Sequence, residues 1–115
     1  MDRIEELNLE EGYPRAEEAE GKLLSALASA KSRGVALVKV IHGWGSQGTG
    51  GTIKRVVKRQ LPELQKKGAL KDWIAGADWK VTFPLYLEWF EKYPDLRNDK
   101  DLNRNNTGIT WVRLR

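Results

Sequence analysis

The sequence predicts an α/β fold, a two-layer sandwich in which a four-stranded mixed sheet carries two main helices plus an inserted helix. Strand-like apolar runs alternate with segments of helical periodicity along the chain. A chain of 115 residues that is 40% hydrophobic is also long enough for one modest core. We therefore expect a single domain, residues 1–115, with its elements in the order strand, helix, strand, helix, strand, inserted helix, strand.

The first part of the chain predicts two strands and a helix. Residues 4–9 alternate in polarity like a short strand. Residues 14–33 are helical in pattern, because alanine and leucine recur every three or four residues and Gly34 follows as a stop. Residues 35–41 are rich in β-branched side chains and almost continuously apolar, which is typical of a central strand covered on both faces.

A second helix follows a glycine-rich loop and is expected to end at Gly68. One of its sides is apolar and the other basic, which predicts packing of the apolar side against the sheet. The apolar positions are Ile53, Val56, Val57, Leu61 and Leu64. Because Pro62 cannot donate its N–H to the helix, we expect a kink or a restart near Leu61.

The last part predicts two strands, at residues 70–75 and 109–114, separated by an inserted helix. The insert contains a cluster of large side chains: Leu85, Tyr86, Trp89, Phe90 and Tyr93. We expect these side chains to pack against the sheet. The alternative is a surface for base stacking or for a protein partner, formed by Tyr86, Trp89 and Phe90. Residues 95–106 are strongly polar and predict an exposed loop.

Charge is distributed unevenly along the chain. The first 20 residues hold 8 acidic and 2 basic side chains, whereas the rest holds 18 basic and 8 acidic ones. Such a division gives the protein a positive side that suits a polyanionic partner. A solvated basic face without a partner is the alternative interpretation.

Residue types and segments that are missing exclude several protein classes. With no cysteine and one histidine, the chain has no ordinary zinc ligand set, so we expect no metal and no cofactor. Five of the first eleven residues are acidic, unlike a signal peptide. No apolar run approaches the roughly 20 residues of a membrane span. We expect a cytoplasmic protein that does not bind a membrane.

The loop between the second strand and the second helix contains five glycines. Without Cβ atoms, consecutive N–H groups can converge on a phosphate, and the following helix adds its positive N-terminal end. Residues 43–48 match the dinucleotide pattern G-x-G-x-x-G, but the acidic residue that should follow, Glu63, falls within a helix. A P-loop would need lysine at Gly51. A flexible connector is a further alternative.

Residues 38–45, with Gly50 and Gly51, resemble the second motif of the Smr (small MutS-related) domain, in which isoleucine-His-Gly-x-Gly ends a strand and a glycine-containing loop opens a basic helix. Residues 7–12 lie where that family has Leu-Asp-Leu-His-Gly, and residues 107–114 resemble its closing strand. The resemblance implies a domain that binds branched, structured or single-stranded DNA or RNA. Relative to the family, residues 77–106 form an insertion.

The resemblance also places the contact surface on the glycine-rich loop and the basic side of the second helix. The predicted nucleic-acid-binding residues are His42, Gly43, Trp44, Gly45, Ser46, Gly48, Gly50, Gly51, Thr52, Lys54, Arg55, Lys58 and Arg59.

The first motif departs from the family at the residues to which cleavage is attributed. The family has an acidic residue and a histidine where this chain has Asn8 and Glu10. Asn8 cannot act as a carboxylate base, and Glu10 lacks the near-neutral pKa of an imidazole. We therefore expect binding without efficient cleavage. The alternative is a structure-specific DNA or RNA endonuclease, with Glu10, Glu11 and His42 as candidate catalytic residues.

Overall fold

A computed structural model describes residues 3–44 and 50–115. Its strands and α-helices follow the predicted order: β1 (Ile4–Asn8), α1 (Ala16–Ser32), β2 (Leu37–Ile41), α2 (Gly50–Lys66), β3 (Asp72–Ala75), α3 (Pro84–Lys92) and β4 (Ile109–Arg113). Short 3-10 turns lie on either side of α3, at Gly76–Asp78 and Pro94–Asn98. Within this part of the chain, no helix is both long and apolar enough to span a bilayer.

The strands form one mixed sheet in the order β1-β2-β4-β3. β1 and β2 are parallel, with Asn8 opposite Ile41, and β4 is antiparallel to β2 and β3. β2 is therefore an interior strand, as its apolar sequence predicts. The carboxyl ends of β1, β2 and β3 meet the amino end of β4 at one edge of the sheet, which we call the loop edge. The predicted α/β class and mixed sheet are confirmed.

The two main helices cover one face of the sheet. Their inward side chains join those of the interior strands in one buried cluster, which includes Leu23, Leu27, Ile53, Val57, Leu61, Val38, Val40 and Val112. α2 runs through Pro62 as one helix, so the expected restart near Leu61 is wrong. Leu61 is fully buried, and its packing in this cluster holds both halves of α2 on the sheet.

The insertion covers the opposite face and adds a third layer to the predicted sandwich. Tyr86 and Trp89 of α3 are 2% and 0% exposed and belong to a second buried cluster. In this cluster Trp79 stacks on Trp111 of β4 with ring centroids 4.8 Å apart, and Tyr86 meets Trp79 edge-on at 5.1 Å. The expected packing against the sheet is confirmed. The alternative prediction of a partner surface is wrong for Tyr86 and Trp89, because both side chains are enclosed. Phe90, the third residue of that prediction, is half-buried.

A buried ion cluster joins the insertion to β2. The Nζ of Lys39 lies 2.7 Å from Asp99 and 2.6 Å from Asp101, and only 3% of this lysine is exposed. Burial alone would lower the pKa of Lys39, but the two aspartates raise it above its ordinary value. The indole N–H of Trp79 donates to Asp99 at 2.9 Å. Residues 95–106 are therefore not the fully exposed loop that their polarity predicts.

Candidate nucleic-acid interface

The loop edge brings together the turns that follow β1 and β2 and the two ends of the insertion. In open α/β sheets, ligands bind beyond the carboxyl ends of the strands. The predicted contact residues His42, Gly43 and Trp44 lie here, directly after β2, and α2 begins at this edge with Gly50. The predicted contacts at Gly45, Ser46 and Gly48 lie outside the described residues.

His42 is enclosed by the ends of β2 and β4, with 1% of its surface exposed. Its Nδ1 lies 3.0 Å from the carbonyl oxygen of Gly43, and its Nε2 lies 2.9 Å from Oγ1 of Thr110. A carbonyl oxygen can only accept, so Nδ1 carries the proton, and Nε2 of the neutral ring accepts from the Thr110 hydroxyl. Burial lowers the pKa of His42, and the positive charges of Lys54 and Lys58 lower it further. The imidazole therefore has a structural role, because it links the end of β2 to β4.

The stability of the protein is expected to fall as the pH is lowered from about 7 to about 5.5. Because the pKa of His42 is lowered in the folded state, its contribution is present above the unfolded pKa of about 6.5 and is lost as the pH falls towards the folded pKa. Urea unfolding at both pH values measures the loss, which His42→Gln should reduce. Since the chain has one histidine, an unchanged pH dependence in the variant would contradict the assignment.

Gly43 lies where the turns after β1 and β2 closely approach each other and the segment before β4. The N–H groups of His42 and Gly43 both donate to the carbonyl of Gly108, at 2.9 and 3.0 Å. Gly43 has a φ of +82°, and a Cβ there would overlap the carboxylate of Glu10. The N–H of Gly43 is therefore used within the protein. At this position, a backbone contact to phosphate is not what the geometry supports.

The candidate carboxylates lie on the turn after β1. Oδ1 of Asn8 accepts the backbone N–H of Glu10 at 2.9 Å, which forms an Asx turn. The Glu10 carboxylate contacts Gly43, and Glu11 is exposed. Among the described residues, no hydrogen bond joins Glu10 to His42, whose nitrogens already have partners. Residues 3–44 and 50–115 also contain no cluster of three or more His, Asp or Glu side chains that could hold a metal ion.

Three side chains of α2, Lys54, Arg55 and Lys58, make up what we call the basic face. They form no ion pair with any residue that the structure describes. The first turn of α2 has no acidic residue, whereas α1 begins with Glu17 and Glu18. Acidic side chains are favourable near the positive N-terminal end of a helix and basic ones unfavourable. The first turn of α2 therefore has no acidic side chain to offset the positive end of the helix, and a bound anion would do so.

Arg59 differs from the basic face although it is also predicted to contact nucleic acid. Its Nη2 lies 2.7 Å from Oε2 of Glu20 on α1, and the Gln60 amide donates to the same oxygen at 2.6 Å. The Arg59 guanidinium holds the pKa of Glu20 below its ordinary value. The Glu20 carboxylate thus offsets part of the positive charge that Arg59 would present to a ligand, since it carries the opposite charge.

A narrow cleft of about 80 Å³ lies between the basic face and the loop edge. Lys54 and Lys58 form one wall, and Thr107 and Thr110 lie on the other side, with His42 also lining it. The first backbone N–H groups of α2, at Gly51 and Thr52 among others, have no partners within the helix, as at every helix N-terminus. The cleft thus places the ammonium groups of Lys54 and Lys58 near the Thr107 hydroxyl, and such groups bind phosphate.

Two aromatic side chains at the loop edge are exposed. Trp44, a predicted contact residue, is 63% exposed, and Tyr13 is 89% exposed. Tyr13 is not among the predicted contact residues. The sequence feature that could have identified Tyr13 is its position between Gly12 and Pro14, in the turn between the first strand and the first helix. An aromatic residue there belongs to the apolar stripe of neither element.

Comparison with known families gives a match within the first two thirds of the chain. The Smr domain model matches residues 11–76, which include α1, β2, α2 and β3 and amount to more than half of the chain. The match ends at Gly76, directly before the insertion. No curated protein and no solved structure matches the chain.

Proposed function

Because the chain belongs to the Smr domain family, we propose that it binds DNA or RNA through the basic face and the loop edge. The observation that carries this proposal is the basic face itself: three cations on one helix that have no ion-pair partner in the described part of the chain. Nucleic-acid affinity depends mainly on such phosphate contacts. The cleft lined by Lys54, Lys58 and Thr107 offers a place for one phosphate.

His42 acts in this proposal through the loop and not through the ligand. Its two hydrogen bonds tie Gly43 to Thr110 and so fix the direction in which the chain leaves β2. Trp44 follows immediately and faces solvent. Residues 42 and 43 are therefore held in place before a ligand binds, which lowers the entropy that binding would otherwise cost at these residues.

Binding by the purified protein to single-stranded, duplex and branched DNA and to RNA tests the proposal. Fluorescence anisotropy with labelled probes gives an affinity for each, and the family resemblance predicts that at least one is bound. A protein that binds none of the four probes at low salt would contradict the proposal. The ranking of the four affinities also separates DNA from RNA as the preferred partner.

Cleavage is the second candidate function, because the Glu10 carboxylate lies against Gly43 at the same edge. We expect any cleavage to be weak compared with a relative that retains the acid and histidine of the first motif. His42 is enclosed, and Asn8 lacks a carboxylate. Glu10→Gln keeps the shape of the side chain and should leave both binding and any residual cleavage unchanged, as measured on labelled branched DNA. Robust cleavage that Glu10→Gln abolishes would assign Glu10 a catalytic role.

A further inference from the structure

We propose that Tyr13 and Trp44 form a pair of base-stacking contacts that makes the protein prefer unpaired nucleotides. The inference rests on the proposed function and adds to it the residues that select the form of nucleic acid. The basic face recognises phosphates, which single strands and duplexes share. A preference between the two forms needs a different chemical group.

The exposure of these two side chains sets them apart from the other aromatics. The chain has ten aromatic residues, all within its described part, and the other eight are buried or half-buried. Large aromatic side chains contribute most of their stabilisation when they are buried. Tyr13 and Trp44 contribute little of this to the fold, so stability does not account for aromatic residues at these positions.

Both aromatics lie at the loop edge, beyond the ends of neighbouring parallel strands. Tyr13 is five residues beyond Asn8, and Trp44 is three residues beyond Ile41, the residue that pairs with Asn8. The turns remain adjacent after the strands end, because the Leu9 N–H donates to the Ile41 carbonyl at 2.9 Å. The two turns are still in contact at Glu10 and Gly43, which lie closer along the chain to Tyr13 and Trp44.

The main chain holds each aromatic in an outward position. Tyr13 has a φ of +50°, a left-handed conformation that is uncommon for a bulky residue, and its N–H closes a turn on the Glu10 carbonyl at 3.0 Å. Gly108 lies under the Trp44 indole, so close that a Cβ there would be 3.3 Å from Cε2. Trp44 is therefore supported on one side and open on the other.

Such exposed rings can stack on a base only when the face of that base is free. In a duplex the faces are occupied by neighbouring base pairs, whereas unpaired nucleotides can leave the stack and lie on an aromatic side chain. Stacking on an aromatic residue is worth about 1 to 3 kcal/mol per base by alanine substitution, or about 5- to 150-fold in affinity. The tolerance of stacking for all four bases implies little sequence preference.

The experiment compares Tyr13→Ala and Trp44→Ala with the unchanged protein on single-stranded oligothymidine and on a blunt duplex of equal length. Each variant should lose about 5- to 150-fold in affinity for the single strand and less than about twofold for the duplex. Tyr13→Phe and Trp44→Phe should restore most of the loss, because the ring is kept. Leu87→Ala is the matched control, since Leu87 is an exposed apolar residue of α3 in the opposite layer.

Each outcome either supports or overturns the inference. Selective loss on the single strand, with recovery in the phenylalanine variants, supports it. Equal losses on both probes, or unchanged affinity in both alanine variants, would overturn the stacking role and leave the proposed function intact. If the unchanged protein binds neither probe, the proposed function fails, and the inference fails with it. Circular dichroism and thermal unfolding check that the variants are folded.

Discussion

The affinity of the protein for duplex DNA is expected to fall about 40-fold between about 50 and 200 mM salt. Each neutralised phosphate contributes about −0.9 to the slope of log affinity against log salt, so the three residues of the basic face give a slope of about −2.7. With Arg59 as a fourth contact the slope would be about −3.6, or roughly a 150-fold loss. Anisotropy titrations across this range measure the slope. Affinity that does not change with salt would refute the role of the basic face.

Paired substitutions on α2 separate contact from net charge. Lys58→Ala should reduce the magnitude of the slope by about 0.9, because one phosphate contact is lost. The control removes Arg59 and Glu20 together, which leaves the net charge unchanged and breaks their ion pair, 2.7 Å long, and the hydrogen bond from Gln60 to Glu20. That double variant should bind like the unchanged protein. If it loses as much affinity as Lys58→Ala, Arg59 contacts the nucleic acid despite its partner.

Lys39→Met is expected to lower the free energy of unfolding by about 3 to 5 kcal/mol, the usual cost of removing one partner from a buried ion pair. The substitution leaves Asp99 and Asp101 facing each other without the ammonium that lies within 2.7 Å of both. Urea unfolding measures the change. Lys67→Met, at an exposed position after α2, is the matched control and should change stability by less than about 0.5 kcal/mol.

The pH dependence of the same cluster follows from its two shifted groups. Burial alone would raise the pKa of Asp101, but Lys39 and Asn106 lower it below its ordinary value. The contribution of Asp101 is therefore present above its unfolded pKa of about 4 and is lost as the pH falls through the folded pKa. The contribution of Lys39, whose pKa is raised, is present below about pH 10 and is lost as the pH rises through the folded pKa. If Lys39→Met and Lys67→Met lower the free energy of unfolding by similar amounts, a stabilising role for this cluster is contradicted.

Local pattern was sufficient to predict the order of the elements, and the last strand shows why. Ile109 and Trp111 alternate with Val112 and Leu114 in the sequence, and the structure places these pairs in different buried clusters on opposite faces of the sheet. Alternation is a property of the strand itself, so it can be read without knowing the partner layers. Which segments cover each face is not a local property, because the covering segments come from other parts of the chain. The third layer could be predicted only from the expected packing of Tyr86 and Trp89 against the sheet.

The contact surface was less predictable because its properties depend on residues far apart in the chain. Arg59 and Lys58 have the same local pattern, yet only Arg59 has Glu20 beside it, from a helix 39 residues away. The local sequence places His42 at the start of a glycine-rich loop, where exposure to solvent would be expected. In the structure His42 is enclosed, with Thr110 of β4 beside it. Pro62 is tolerated within α2 because tertiary packing outweighs its lost hydrogen bond.

The position of the insertion limits how far the chain can be shortened. Residues 77–106 lie outside the family match, and their aromatic side chains seal Leu37, Ile109 and Trp111, which are almost inaccessible to solvent. A protein trimmed to the matched residues would also lose β4, the strand that joins β2 to β3. It would present bare apolar sheet to water, and such surfaces make proteins aggregate. The insertion is an addition relative to the family, yet it covers one of the two buried hydrophobic clusters and cannot be removed without exposing that cluster.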